Sequence, residues 1–189
     1  MLCVNCERFS FGLICKNCKQ ILSDISLTKR IEDGLEIYSF YGYSEIEKLL
    51  FSKHKIYGSK IFEILADLSF AKFAKNFQFN EKISAIPLDD NVKSGYSHTA
   101  ILAKALKSKF IKPKFRVLRA KSQISYHGKS LEFRKNNPRN YQILKKINTP
   151  IILVDDIVTT GQSLMQARDI LQKNNEEILF ALTLADARI

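Results

Sequence analysis

Hydrophobic and polar positions along this chain follow two rhythms, and each change of rhythm marks an element. Leu35 to Tyr41 alternates with a period of two, as a strand with one buried face does. Ile151-Ile152-Leu153-Val154 is apolar throughout, as a strand covered on both faces must be. Lys82 to Leu88 reads as a strand ended by Pro87, Phe115 to Arg119 as a further strand, and Ile178 to Leu184 as the last. Between them the apolar spacing is helical. Ser44 to Lys55 puts Ile46, Leu49 and Leu50 on one face with Ser44 as N-cap, and Ser59 to Ala74 continues through Ile61, Phe62, Leu65, Leu68 and Phe73. Ser97 to Lys109 offers Ala100, Leu102, Ala103 and Leu106 for burial, and a further helix runs from Ser163 to Asn174. The stretch Ser23 to Gly34 reads as a polar link, Asp89 to Ser94 as a loop and Gln123 to Lys129 as a mobile segment, while Leu131 to Lys146 fits neither rhythm. Strands alternating with helices predict an α/β domain over residues 35–189. Its sheet should be parallel, with right-handed crossovers and ligands gathered at the carboxyl ends of the strands.

The cysteines add a second unit. All 4 lie near the start, as the pairs Cys3/Cys6 and Cys15/Cys18, each with two residues between. That spacing suits tetrahedral Zn²⁺ held by thiolates, and it defines a module over residues 1–22. A shell closed by four thiolates leaves no position for chemistry, so the metal is expected to be structural. A redox or disulfide pairing is the alternative, and a reducing compartment disfavours it.

Charge changes the choice of partner. The 189 residues carry 30 Lys and Arg against 19 Asp and Glu, a net +11. Such an excess favours polyanions, either nucleic acid or an anionic membrane surface; a lysine-rich, AT-biased coding composition yields the same balance without function. Lys107, Lys109, Lys112 and Lys114, with Lys104 and Arg116 around them and Phe110 and Phe115 interleaved, form the candidate DNA-binding span. Its alternative is a solvated helix end leading into a core strand. Lysine, arginine or acid interrupts every apolar run before the roughly 18–20 residues of a membrane span are reached. The first residues lack a signal peptide's basic and apolar regions. A cytoplasmic protein is expected, with peripheral association at the inner membrane left open.

The chemistry concentrates in Val154-Asp155-Asp156-Ile157-Val158-Thr159-Thr160-Gly161-Gln162-Ser163. Two carboxylates close an apolar strand, and a hydroxyl- and glycine-containing turn opens a helix. That order suits a sugar phosphate. Main-chain N–H groups of the turn and first helical turn converge on an anion, and Thr159, Thr160 and Ser163 add hydroxyl donors. Gly161 allows close approach or positive φ. Asp155 and Asp156 stand where ribose hydroxyls would donate to them. Asp89-Asp90 has two equal readings, a metal contact or a plain turn after Pro87. His98 is read as facing solvent or the neighbouring loop at a helix start, and His54 and His127 as surface residues.

The same stretch resembles the signature of type I phosphoribosyltransferases, which bind 5-phosphoribosyl-1-pyrophosphate (PRPP) with Mg²⁺. The resemblance implies that Asp155 and Asp156 hold the ribose 2′- and 3′-hydroxyls, while Val158, Thr159, Thr160, Gly161, Gln162 and Ser163 cradle the 5′-phosphate. Leu88 and Asp89 would contact pyrophosphate or its Mg²⁺ through water. Asp155, Asp156, Arg119 and Lys93 would then be the catalytic set, with Lys121 a further basic candidate.

More narrowly, the chain is similar to ComF-type competence proteins, which join a four-cysteine zinc finger to a phosphoribosyltransferase-like, Rossmann-like parallel-sheet domain. The likeness rests on the cysteines, the aromatic stretch Tyr38 to Tyr41, Lys53 before Gly58, Ile86-Pro87-Leu88, Gly95-Tyr96, Leu118-Arg119, and Arg134 with Asn137. Ser94, Ser97 and His98 depart from the Arg, Asn and Gln of the family run, and Lys93 stands in for the missing charge. The segment after Arg119 occupies the place of a catalytic hood. The likeness implies a PRPP- and Mg²⁺-binding protein of DNA uptake in natural transformation, handling single-stranded DNA beside other uptake machinery at the inner membrane. A nucleobase-salvage transferase and a non-enzymatic PRPP-sensing DNA adaptor are the alternatives.

Overall fold

The computed structural model describes residues 1–88, 95–121 and 139–189. Its centre is a six-stranded sheet built from β1 (Thr28–Glu32), β2 (Leu35–Gly42), β3 (Ile83–Pro87), β4 (Ile111–Pro113), β7 (Ile151–Val158) and β8 (Ile178–Asp186). The order across it is β1-β2-β8-β7-β3-β4. All neighbours run parallel except β1, which pairs antiparallel with β2 at one edge. The remaining strands, β5 (Leu118–Ala120) and β6 (Tyr141–Ile143), make a small antiparallel sheet of their own.

Both faces of the large sheet are covered, which is why its central strands are so uniformly apolar. On one face α2 (Tyr43–Phe51), α3 (Gly58–Leu68), α4 (Phe70–Asn76) and α5 (His98–Ala105) bury Ile46, Phe62, Phe70 and Leu102 against Phe40, Ile83, Ile152 and Leu182. On the other, α6 (Gln162–Gln172) and the small sheet bury Leu164, Ala167, Leu118 and Tyr141 against Ile37, Ile86, Leu153 and Ala181. The cysteine module is part of the first layer. Cys3, Ile14, Cys18 and Leu22 share its core, α1 (Lys16–Ser23) packs there, and the Tyr41 hydroxyl donates to the Leu22 carbonyl at 2.6 Å.

Four expectations change. The polar link ending at Gly34 contains β1, because Asp33 and Gly34 both take positive φ, 47° and 78°, and close a two-residue hairpin between Glu32 and Leu35. The first main helix starts at Tyr43 with Gly42 as its cap, and Glu45 accepts the Gly42 N–H at 2.7 Å; Ser44 is not the cap. The long helix from Ser59 is two helices, parted at Ser69, whose hydroxyl donates to the Leu65 carbonyl at 2.6 Å. That break lets α4 set Phe70 on Phe40, ring centres 4.6 Å apart. Finally, Phe115 to Arg119 is not one strand. Arg116 has φ of 56°, and the chain splits there into β4, which joins the large sheet, and β5, which does not. Of Leu131 to Lys146, Tyr141–Ile143 form β6; residues 131–138 and 123–129 and the loop 89–94 lie outside the described residues.

Candidate functional site

Strand β7 runs four residues past the apolar stretch that predicts it, so Asp155 and Asp156 lie within the strand and not in a turn. Successive residues of a strand face opposite sides, and here that separates the two acids. Asp155 lines a surface pocket together with Ile157 and residues 158–164. Gly161 is left-handed there, φ 73° and ψ −1°, and acts as the N-cap of α6 with no side-chain cap on the helix. The first main-chain N–H groups of α6 therefore have no acceptor within the helix. Thr159, Thr160 and Ser163 are half-buried around the turn, and the Gln162 side-chain oxygen is buried with no partner among the described residues.

Asp156 faces the other way and is 8% exposed. One of its oxygens, Oδ2, lies 3.3 Å from Lys53 Nζ and 3.2 Å from His98 Nε2; the other accepts the Ile157 N–H at 2.9 Å. Burial alone would raise the carboxyl, but His98 and Lys53 outweigh it and hold Asp156 well below the usual carboxylate range. The Tyr96 hydroxyl is moved the opposite way, upward, by burial and by the Asp156 charge. His98, expected to face solvent or the neighbouring loop at a helix start, is turned to Asp156 on β7. Its ring packs against Phe62, with centres 5.5 Å apart, and its nitrogen is turned to the sheet. His54 is exposed, as expected; His127 lies outside the described residues.

The turn is braced by residues for which the chain pattern gives little sign. Arg30, on β1, spans the sheet edge: Nη2 donates to the Thr159 carbonyl at 2.7 Å and Nη1 to Asp186 Oδ1 at 2.8 Å. Asp186 ends β8 and is 3% exposed, and the same Oδ1 that meets Arg30 also accepts the Arg188 N–H at 2.9 Å. From α6, Arg168 reaches Asp33 Oδ2 at 2.8 Å and pins the hairpin turn to the helix. The β1–β2 hairpin therefore straps the turn between β7 and α6. The Asp33-Gly34 dipeptide is the signal that could have revealed it.

Other expected site residues are dispersed. Leu88 is buried, with its N–H donated to the Val154 carbonyl at 2.9 Å and its own carbonyl accepting the Thr99 hydroxyl at 3.1 Å. Arg119 is exposed on β5 and does not line the pocket. Lys93, Asp89, Arg134 and Asn137 lie outside the described residues. Lys107 and Lys109 are exposed in the connection between α5 and β4, Lys112 is exposed on β4 itself and Lys114 follows it, half-buried. The first two sit at the amino ends of the parallel strands, away from the pocket.

The four cysteine sulfurs all lie within 4.8 Å of one another. Cys6 and Cys15 sulfurs are 3.7 Å apart, too far for a disulfide but close to the roughly 3.8 Å edge of a tetrahedron built on a Zn–S bond of about 2.3 Å. Burial opposes ionisation of Cys3, yet main-chain N–H groups of Cys15, Cys6 and Asn5 bring its thiol down to about 6. Burial, with neighbouring thiols, pushes Cys18 up to about 12. Four sulfurs gathered this closely fit a shared divalent cation, which would take all four as thiolates. They form a cluster able to hold a metal ion.

No family model and no curated protein matches this chain. Solved structures similar to it include a hypoxanthine phosphoribosyltransferase from Staphylococcus aureus, at 17% identity over 68% of this chain and 64% of that one, TM-score 0.41. Others are Leishmania donovani UMP synthase, 15% identical over 90% and 31% of the two chains, and a phosphoribosyltransferase from Corynebacterium diphtheriae, 12% identical over 90% and 81%, both at TM-score 0.41. The chain thus spans less than two thirds of the Staphylococcus enzyme's length, 64%. No helix among the described residues is long and apolar enough to cross a membrane.

Proposed function

We propose that the protein binds PRPP with Mg²⁺ at the turn between β7 and α6, with Asp155 accepting from the ribose and residues 158–163 receiving the 5′-phosphate. The observation that carries the reading is Gly161, left-handed at the uncapped start of α6, with hydroxyl residues around it and a carboxylate on the strand before it. Uncapped N–H groups and the helix dipole favour an anion at that point, and the adjacent acid favours hydroxyl donors. The Mg²⁺ would ride on the pyrophosphate oxygens and their waters, as a hard cation that sheds water reluctantly. If transfer occurs, the C1–O bond to pyrophosphate breaks, a nitrogen acceptor bonds to C1 and loses its proton, and charge develops on the leaving group. Arg119, Lys93 and Lys121 are the basic side chains proposed to meet it. The cysteine cluster is proposed to hold a structural Zn²⁺.

We further propose a cytoplasmic role in uptake of transforming DNA, with single-stranded DNA as partner and peripheral contact at the inner membrane. Its support is the ComF-like order of motifs, the net +11 charge, and an exposed apolar tip on the cysteine module, where Phe9 and Phe11 meet edge to face at 5.4 Å.

Calorimetry with PRPP and Mg²⁺ tests the pocket: binding is expected, and Asp155→Ala is expected to weaken it at least about tenfold. Undiminished affinity would reject the ribose role. Radiolabelled PRPP offered to purines, pyrimidines and nucleic acid separates the alternatives, since rapid transfer to one free base would identify a salvage enzyme. Single-stranded DNA binding should fall steeply with salt through loss of phosphate contacts. No binding at low salt would remove DNA as a direct partner.

A further inference from the structure

The turn between β7 and α6 is held by a side chain that does not line its pocket. Arg30 stands half-buried on the edge strand β1, and the pocket is lined by Asp155, Ile157 and residues 158–164. Nη2 donates to the Thr159 carbonyl at 2.7 Å, and Nη1 to Asp186 Oδ1 at 2.8 Å. Nε is buried with no partner among the described residues. A buried donor left unpaired costs stability, so the guanidinium is placed for its two Nη contacts at the expense of its own solvation.

The charges around it cancel. Nη2 of Arg30 lies 3.4 Å from Glu32 Oε1 and Arg188 meets the same oxygen at 2.5 Å, so Arg30 and Arg188 are answered by Asp186 and Glu32. Such a group brings little net charge to an anion in the pocket. What it fixes is the direction of a peptide. In a trans peptide the carbonyl and the N–H that follows it point opposite ways. The Thr159 carbonyl is drawn to Arg30, so the Thr160 N–H is turned away from Arg30. Thr159 and Thr160 both line the pocket, at the point where an anion would meet the start of α6.

We propose that Arg30 is a positioning residue for phosphate: by holding the Thr159 carbonyl it presents the Thr160 N–H to the anion, without itself touching the ligand. This rests on the phosphate-binding reading given above and brings the edge strand into that site. A free turn would have to orient the donor when the ligand arrives, whereas a donor oriented beforehand spares that cost and binds the anion more tightly. A guanidinium suits the task because its rigid fork holds Thr159 and Asp186 together, which a lysine ammonium on a flexible stem does not.

The test is titration with inorganic phosphate and with ribose 5-phosphate, read by calorimetry and by the amide resonances of the turn, in variants whose circular dichroism matches wild type. Arg30→Met combined with Asp186→Asn removes one positive and one negative charge, so the net charge is unchanged and no buried carboxylate is stranded. At saturating phosphate the Thr160 amide of wild type should shift. The paired variant should lose most of that shift while the Gln162 and Ser163 amides keep theirs, and it should bind both ligands about tenfold more weakly at low and at high salt alike. Arg30→Lys should stay weakened by about threefold or more, and it carries the test alone if the paired variant does not fold. Affinity within about twofold of wild type, a Thr160 shift that persists, an equal loss of shift at every turn amide, or a loss of affinity that vanishes with salt would each overturn the proposal while leaving the phosphate site standing. Full recovery by Arg30→Lys would do the same. Wild-type failure to bind phosphate, ribose 5-phosphate or PRPP would remove the phosphate-binding reading, and this proposal with it.

Discussion

A carboxylate clasped between a lysine and a histidine inside a sheet is easier to replace as a set than to break one member at a time. Asp156→Ala would leave Lys53 and His98 facing each other with no counter-charge, and we expect it to lower stability by about 3–5 kcal/mol in urea denaturation. Because the folded carboxyl is held below its unfolded value of about 4, its contribution is fully present above that pH and is lost as pH falls below it. Wild type should therefore show a falling urea midpoint below about pH 4, and Asp156→Asn a shallower fall. Arg30 makes a parallel case: Arg30→Ala strands Asp186 at 3% exposure and releases the Thr159 carbonyl, so a stability loss of similar size, about 3 kcal/mol or more, should accompany weaker PRPP binding. The paired aspartates are plain in the sequence. Their separation onto two faces follows from strand alternation only once β7 is known to run through them. Lys53 lies 103 positions from Asp156 and Arg30 lies 129 from Thr159, and no local pattern reports a contact of that range.

The strands and helices that sequence patterning locates well are those whose burial is uniform. Ile151 to Val154, Ile83 to Pro87 and the helix after Gly161 are apolar on the faces that the sheet demands, so their rhythm and their positions agree. Edge strand β1 is different. Its inward positions are Thr28, Arg30 and Glu32, polar because Arg30 and Glu32 attend the turn between β7 and α6 and not a core, and so the stretch passes for a linker. The break at Ser69 is hidden for the opposite reason, since apolar residues run on without interruption through both α3 and α4. At the junction of β7 and α6 the decisive feature is backbone geometry. Gly161→Ala would meet no closer atom than Glu32 Cγ at 3.4 Å, an ordinary contact, so its cost is that of a side chain at φ 73°. A loss of about 1–2 kcal/mol in thermal denaturation is expected, together with weaker PRPP binding as the turn relaxes.

Over the whole molecule, the cysteine module shares a core with the parallel-sheet domain and does not hang from it. Cys3, Cys18 and Leu22 are buried with Phe62, Leu65 and Phe70, and Lys72 Nζ reaches the Ser23 carbonyl at 2.7 Å. Metal analysis should find about one zinc per chain, and chelation, or Cys3→Ser with Cys6→Ser, should lower the melting temperature of the entire domain instead of releasing a frayed terminus. A separate early transition with the main one unmoved would contradict that coupling. The two margins of the large sheet carry a further consequence. One is β1, with Lys29, Arg30 and Glu32, and the other is β4, where Lys112 stands beside Pro113. Charge along both borders, and on β4 a proline that offers no amide, work against strand exchange between copies at these margins.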